Sequence, residues 1–134
     1  MSTPPTWPSP VTHHPPDTWE IALPWDKPPL SLNHRPGWAT KARLTKMLRT
    51  SACYLAKNRI PALDACDVVL VWHPPDRRRR DEDNPYPTLK ALADGLVDAG
   101  VVPDDTPDLM GKRCLLGEVE RPARMVLIVK RRSS

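Results

Sequence analysis

The sequence lacks the hallmarks of several protein classes. It contains no Phe, so a core must be built from aliphatic side chains and five Trp. Its three cysteines, Cys53, Cys66 and Cys114, form no C-x-x-C pair, which argues against a disulfide framework or a zinc ribbon. No apolar run approaches the ~20 residues of a membrane span, and the N-terminus has no signal-peptide pattern. We therefore expect a soluble cytoplasmic protein with free thiols and no membrane partner.

Chain length and net charge limit the number of domains and the kind of partner. A chain of 134 residues is large enough for one core but not for two. The formal net charge of +4 is modest. An excess of positive charge favours an acidic partner such as nucleic acid.

The chain contains 18 prolines, and they are most concentrated toward the N-terminus. Proline fixes φ and removes a backbone donor, and the segment 1–17 shows no hydrophobic periodicity. We expect 1–17 to be a flexible arm and 18–134 to be the folded domain. The pair His13 and His14 has no third ligand nearby, so we interpret them as surface histidines and not as a metal site.

The first half of the domain predicts a strand and a helix. "WEIALPW" (19–25) alternates weakly, as a strand does. Apolar residues recur at helical spacing over 39–58. The other face of that helix carries four basic residues, which would either contact a phosphate backbone or simply be solvated: Lys41, Arg43, Lys46 and Arg49.

The second half predicts three strands and a second helix. "DVVLVWH" (67–73) is typical of a strand buried on both faces. A helix should begin near Pro87 and end at Gly100. Strands are expected at 113–120 and 123–132, joined by a hairpin. The predicted fold is α+β, with two main helices packed on a small mixed sheet.

Four arginines adjoin three acidic residues in "RRRRDEDN" (77–84). In an extended segment, Asp81 and Asp83 project to the same side and Glu82 to the other. The repulsion between the two carboxylates would be relieved by a hard divalent cation. A calcium EF-hand is excluded, because Tyr86 stands where that loop requires Gly.

Further charged residues follow on the next helix and loop. Lys90 can lean back toward the aspartates or form an ordinary ion pair with Asp94. Asp104 and Asp105 would have to return along "GVVPDD" to join them. Such a set suits metal-assisted phosphodiester hydrolysis. A solvated charged loop is the competing interpretation.

The order of these residues resembles the RusA family of Holliday-junction resolvases, known from phages and prophages. The resemblance rests on "PLSLN", "RRRRDEDN" and "KALADGLVDAGVVPDD", and it covers about residues 22–130. The family commonly has two residues between its Asn and Lys, whereas five separate Asn84 from Lys90 here.

The resemblance implies residue roles. Asp81, Asp83 and Asp105 would be catalytic metal ligands, with Asp104 beside them, and Lys90 would be the essential lysine. Asn84 would shape the loop. DNA would be contacted by the four arginines, Arg77, Arg78, Arg79 and Arg80.

The resemblance also implies the activity. We expect a homodimeric, Mg²⁺-dependent crossover junction endodeoxyribonuclease, with Mn²⁺ as a substitute ion, that makes paired nicks in four-way DNA. Two alternatives stay open: a non-catalytic branched-DNA-binding accessory protein of phage recombination, and a nuclease that cuts flaps or forks.

Overall fold

The structure, a computed structural model, describes residues 9–132. It has the predicted α+β fold, in which one five-stranded mixed sheet carries two helices. The sheet order is β1-β2-β5-β3-β4. The strands are β1 Val11–His14, β2 Thr18–Ala22, β3 Cys66–His73, β4 Met110–Leu116 and β5 Arg124–Arg131. The helices are α1 Trp38–Ala56 and α2 Tyr86–Asp98.

Strand β3 organises the sheet, since it pairs antiparallel with β5 and parallel with β4. Its alternate residues Val68 and Leu70 are buried, whereas Val69 and Val71 are only half-buried. The prediction of a strand buried on both faces is therefore wrong. One face of β3 carries the core, and the other keeps contact with solvent.

The two helices meet at a close approach. A Cβ added at Gly95 of α2 would lie 2.7 Å from the Cβ of Ala52 and would also overlap the backbone carbonyl of Arg49. Only glycine allows α1 and α2 to pack at this distance. Helix α2 ends as predicted, because Gly100 follows it with φ of 84°, in the left-handed region that favours glycine.

The predicted hairpin between the last two strands is wrong. In the described sheet, β3 is the only strand that pairs with β4, and β5 pairs with the opposite edge of β3. The connection 117–123 therefore crosses the end of β3 instead of making a tight turn. An apolar pattern identifies strands but does not say which neighbours they choose.

The predicted arm also needs a correction. Val11 to His14 pair with β2, so these residues belong to the sheet and not to the predicted arm. The ring of His13 stacks on Trp19 at 4.8 Å, and this contact helps to hold the proline-flanked segment on the sheet. Residues 1–8 lie outside the described residues. Within 9–132, neither helix is long and apolar enough to cross a membrane.

The helix contact predicts the effect of a single methyl group. Gly95→Ala gains about 1 kcal/mol of helix propensity but forces α1 and α2 apart. We expect a net loss of about 1–3 kcal/mol in the free energy of unfolding, measured by urea denaturation. The control is Gly37→Ala, because a Cβ there meets nothing within 4 Å. Equal stability of the two variants would contradict the close contact.

Candidate functional site

The acidic segment after β3 forms a turn. The backbone N–H of Asn84 donates to the carbonyl of Asp81 at 3.1 Å, and the N–H of Asp83 donates to Asp81 Oδ1 at 3.0 Å. The prediction of an extended segment is wrong here, because the Asp81 side chain caps the turn. Glu82 fixes the turn to the sheet, since its Oε2 accepts a hydrogen bond from the N–H of Leu116 at 3.1 Å.

Asn84 joins this turn to the segment "PLSLN". Its carbonyl accepts the N–H of Leu32 at 2.8 Å, and its Oδ1 accepts the N–H of Asn33 at 3.1 Å. The buried hydroxyl of Thr88 accepts from the N–H of Leu30 at 2.9 Å and donates to the carbonyl of Leu30 at 2.7 Å. Two segments more than 50 residues apart in sequence are thus held as one unit.

Lys90 and Asp105 meet in an ion pair. Lys90 Nζ donates to Asp105 Oδ2 and, at 3.0 Å, to Asp94 Oδ1. The predicted ion pair with Asp94 is therefore present, but the second partner is Asp105, and among the described residues Lys90 forms no ion pair with Asp81 or Asp83. The hydrogen bond from Lys90 is the main cause that lowers the pKa of Asp105 to about 2, and the same bond raises the pKa of Lys90. The side chain of Asp105 is only 20% exposed.

Sequence reasoning missed Lys112. Its side chain is 12% exposed, its Nζ donates to the backbone carbonyl of Asp105 at 2.7 Å, and it lies 3.6 Å from Asp105 Oδ2. Lys112 shares its side of β4 with the buried Met110 and Cys114, two residues away in each direction. A lysine in the buried register of a strand was the available signal.

Of the remaining predicted acidic residues, Asp104 adjoins the ion pair and Asp83 lies near Cys114. Asp104 is exposed, and its Oδ1 accepts the N–H of Asp105 at 2.8 Å. Asp83 lies close enough to Cys114 to act on its thiol: burial is the main cause that raises the Cys114 pKa to about 11, and the negative charge of Asp83 adds to it. Cys114 and Lys112 are neighbours on one side of β4, so the turn and Asp105 approach the same strand.

The three predicted carboxylates do not form one metal-holding group. Within residues 9–132, no set of three or more His, Cys, Asp or Glu side chains is arranged to hold an ion. Asp81 and Asp83 are exposed, while Asp105 is paired with lysine. Mg²⁺ is commonly held by one or two carboxylates together with substrate phosphate oxygens and waters. The donor chemistry of Asp81 and Asp83 fits that mode of binding.

The arginine run divides into two kinds of residue. Residues 77–79 are exposed, although Arg78 lies 3.7 Å from Asp76. Arg80 is only 15% exposed, binds Asp76 Oδ1 at 2.8 Å, and stacks its guanidinium 4.9 Å from the Trp72 ring centroid. Arg80 is thus bound within the loop, because these contacts use its donors and its flat face, and its contact with DNA stays a prediction.

Comparison with known proteins gives little further identification. No protein-family model matches the chain. It is similar to an uncharacterized protein of Xylella fastidiosa (strain Temecula1 / ATCC 700964), at 29% identity over 85 residues. These residues cover 59% of this chain and 56% of that protein, so the match spans little more than half of the relative.

The lysine contacts predict how Asp105 titrates. In Lys90→Met, the carboxyl pKa of Asp105 should rise from about 2 toward its ordinary value of 3.8, stopping short of it because Lys112 remains. NMR titration of the side-chain carboxyl measures this shift.

The same change alters stability in acid. A lowered carboxyl pKa stabilises the fold above about pH 4, and that contribution disappears as the pH falls toward about 2. Lys90→Met should therefore lose less stability over this interval than the wild type or the exposed control Lys130→Met. An unchanged Asp105 pKa in Lys90→Met would contradict the assigned ion pair.

Proposed function

We propose that the chain is a Mg²⁺-dependent, structure-selective endodeoxyribonuclease that resolves four-way DNA junctions by phosphodiester hydrolysis. The RusA-like order of its acidic residues and lysine motivates the proposal. We further propose that it works as a homodimer, because a two-fold symmetric junction needs two equivalent cuts, and that it acts on DNA in the cytoplasm.

The observation that carries the proposal is the contact between Lys90 and Asp105. These residues are 15 positions apart and belong to a helix and to the loop after it. Lys112 adds a second ammonium group to the same carboxylate. Charged residues of a solvated surface loop are usually exposed. An acidic residue that two lysines contact, one of them largely buried, is unusual for such a loop because burying a lysine costs solvation energy.

Each residue has a proposed task. Asp81 and Asp83 would hold the ion through their exposed carboxylates, and Asp105 would join them when Lys90 Nζ moves to a phosphate oxygen. The ion, when bound, supplies charge neutralisation and an activated water. Lys90 would then stabilise negative charge on the phosphate, and Lys112 would keep Asp105 in position. Exposed arginines at 77–79 would contact the backbone without reading its sequence.

The direct test is cleavage of a panel of purified DNA substrates. We expect nicking of a synthetic four-way junction with Mg²⁺, none with EDTA, and little cutting of linear duplex of the same sequence. A Y-shaped fork and a flap complete the panel. Preferential cutting of the fork or flap would show that this DNA, and not the four-way junction, is the substrate. Binding without any cutting would favour the non-catalytic accessory protein.

Asp83→Asn separates metal binding from DNA binding. The amide keeps the size of the side chain but removes a negative ligand, so cleavage should fall by about 10²-fold or more, with junction affinity preserved. The control is Asp64→Asn, an exposed aspartate before β3, which should cut like the wild type. Wild-type cleavage by Asp83→Asn would overturn its assignment as a ligand.

A further inference from the structure

A basic cleft of about 340 Å³ lies beside the candidate site. It is bounded by the segment 30–36, by the first turn of α1 and by the start of α2. Its polar lining includes His34, Arg35 and Lys41, and apolar surface comes from Leu32 and Pro87. No Asp or Glu lines it.

The cationic groups of this cleft are available for a ligand. His34, Arg35 and Lys41 are all exposed. Among the described residues, carboxylates form ion pairs with Arg49, Arg80, Lys90 and Arg132. No described carboxylate lies within 4.0 Å of the cationic group of Arg35 or Lys41. The cleft therefore concentrates positive charge that the described part of the fold does not neutralise. Its chemistry suits an anion that also offers some apolar surface.

The cleft is tied to the acidic turn. Asn84 binds Leu32 and Asn33 through two hydrogen bonds, and Thr88 binds both backbone groups of Leu30. These bonds fix one wall of the cleft relative to Asp81 and Asp83. A ligand in the cleft would consequently be held at a fixed position beside the proposed site of cleavage.

An exposed aromatic ring stands next to the cleft. Trp38, the first residue of α1, is 85% exposed. Lys41 follows it by three positions, so the two side chains lie on the same side of the helix. An indole that is open to solvent beside a cationic cleft matches the pattern of nucleic-acid sites, where bases stack on aromatic rings while basic groups bind phosphates.

We propose that this cleft is a subsite for the nucleic-acid backbone. Arg35 and Lys41 bind a phosphodiester that neighbours the one to be cut, and Trp38 stacks on an adjacent base. This subsite proposal rests on the proposed function only in that it places the bound phosphodiester next to the one that is cut. The alternative occupant is a protein partner with acidic residues. The exposed Trp38 argues for a nucleic acid instead, because a base offers a flat face on which the indole can stack.

The test compares two double variants of equal charge. Arg35→Ala/Lys41→Ala removes the cations of the cleft. Lys57→Ala/Arg131→Ala removes two exposed cations from elsewhere, one just after α1 and one opposite Cys66 at the beginning of β3. Binding of a fluorescent four-way junction is measured by anisotropy in EDTA over a series of salt concentrations. Thermal unfolding checks that both variants fold.

The cleft variant should bind about tenfold more weakly at 0.1 M salt, and the slope of log affinity against log salt should shrink by about 2. The control should change both quantities far less. Equal effects of the two double variants would overturn the proposal, since general charge would then explain them.

Trp38→Ala tests the stacking contact separately. It should weaken binding severalfold and leave the salt slope unchanged, because stacking releases no counterions. A steady-state quench of tryptophan fluorescence on DNA binding should be reduced in this variant. Unaltered affinity and quench would remove Trp38 from the subsite.

The outcomes also separate this inference from the nuclease proposal. Cleavage by the wild type together with an unaffected cleft variant would reject the subsite alone. Salt-dependent binding through the cleft without Mg²⁺-dependent cutting of any substrate would reject the nuclease alone. Absence of DNA binding by the wild type would reject both.

Discussion

The parallel pairing of β3 with β4 is the constraint on which the candidate site depends. Two parallel neighbours require the chain to travel back from the end of the first strand to the beginning of the second, and α2 makes that return. The acidic turn therefore lies where α2 begins, and Asp105 lies where the chain approaches β4. The side chain of Lys90, near the beginning of α2, reaches Asp105. The close packing of α1 at Gly95 then fixes the helix that carries Lys90.

The balance of charge around Asp105 has a chemical consequence. Two ammonium groups approach one carboxylate, which keeps it ionised far into acid. Lys112 is largely enclosed, and its stronger contact is with the backbone carbonyl, so it holds the loop as well as the charge. Lys90 is nearly half exposed, so it is the partner that solvent reaches. One enclosed and one solvent-accessible lysine thus share a single acid.

Local patterns predicted the elements well and their partners poorly. Helical spacing identified α1 and α2 within a few residues, because each buries one continuous apolar stripe. The hairpin was mispredicted because the apolar patterns of β4 and β5 do not indicate that they pair with opposite edges of β3 and not with each other. Strand β1 was missed because its prolines flank the paired residues and do not interrupt them.

The same limit applies to the site. The ion pair of Lys90 with Asp94 was foreseeable from the spacing on one helix, whereas the pairing of Lys90 with Asp105 was not predicted. The turn at Asp81 was not predicted either, because a side-chain cap competes locally with an extended backbone. Lys112 escaped notice because the predicted strand began at residue 113, which left this lysine outside the buried register of "MGKRCLL".

The arrangement explains why dense positive and negative charge adjoin in "RRRRDEDN". Arg80 does not face outward with its neighbours but binds Asp76 and Trp72, so one arginine stiffens the approach to the acidic turn. A cation placed that close to Asp81 and directed at it would compete with any metal ion. Under the proposed function, positive charge for a phosphate would come from the side, from Arg35 and Lys41 on a segment that Asn84 binds. Separating the cations proposed to bind the substrate from the acids proposed to bind the ion would allow both groups to keep their charge.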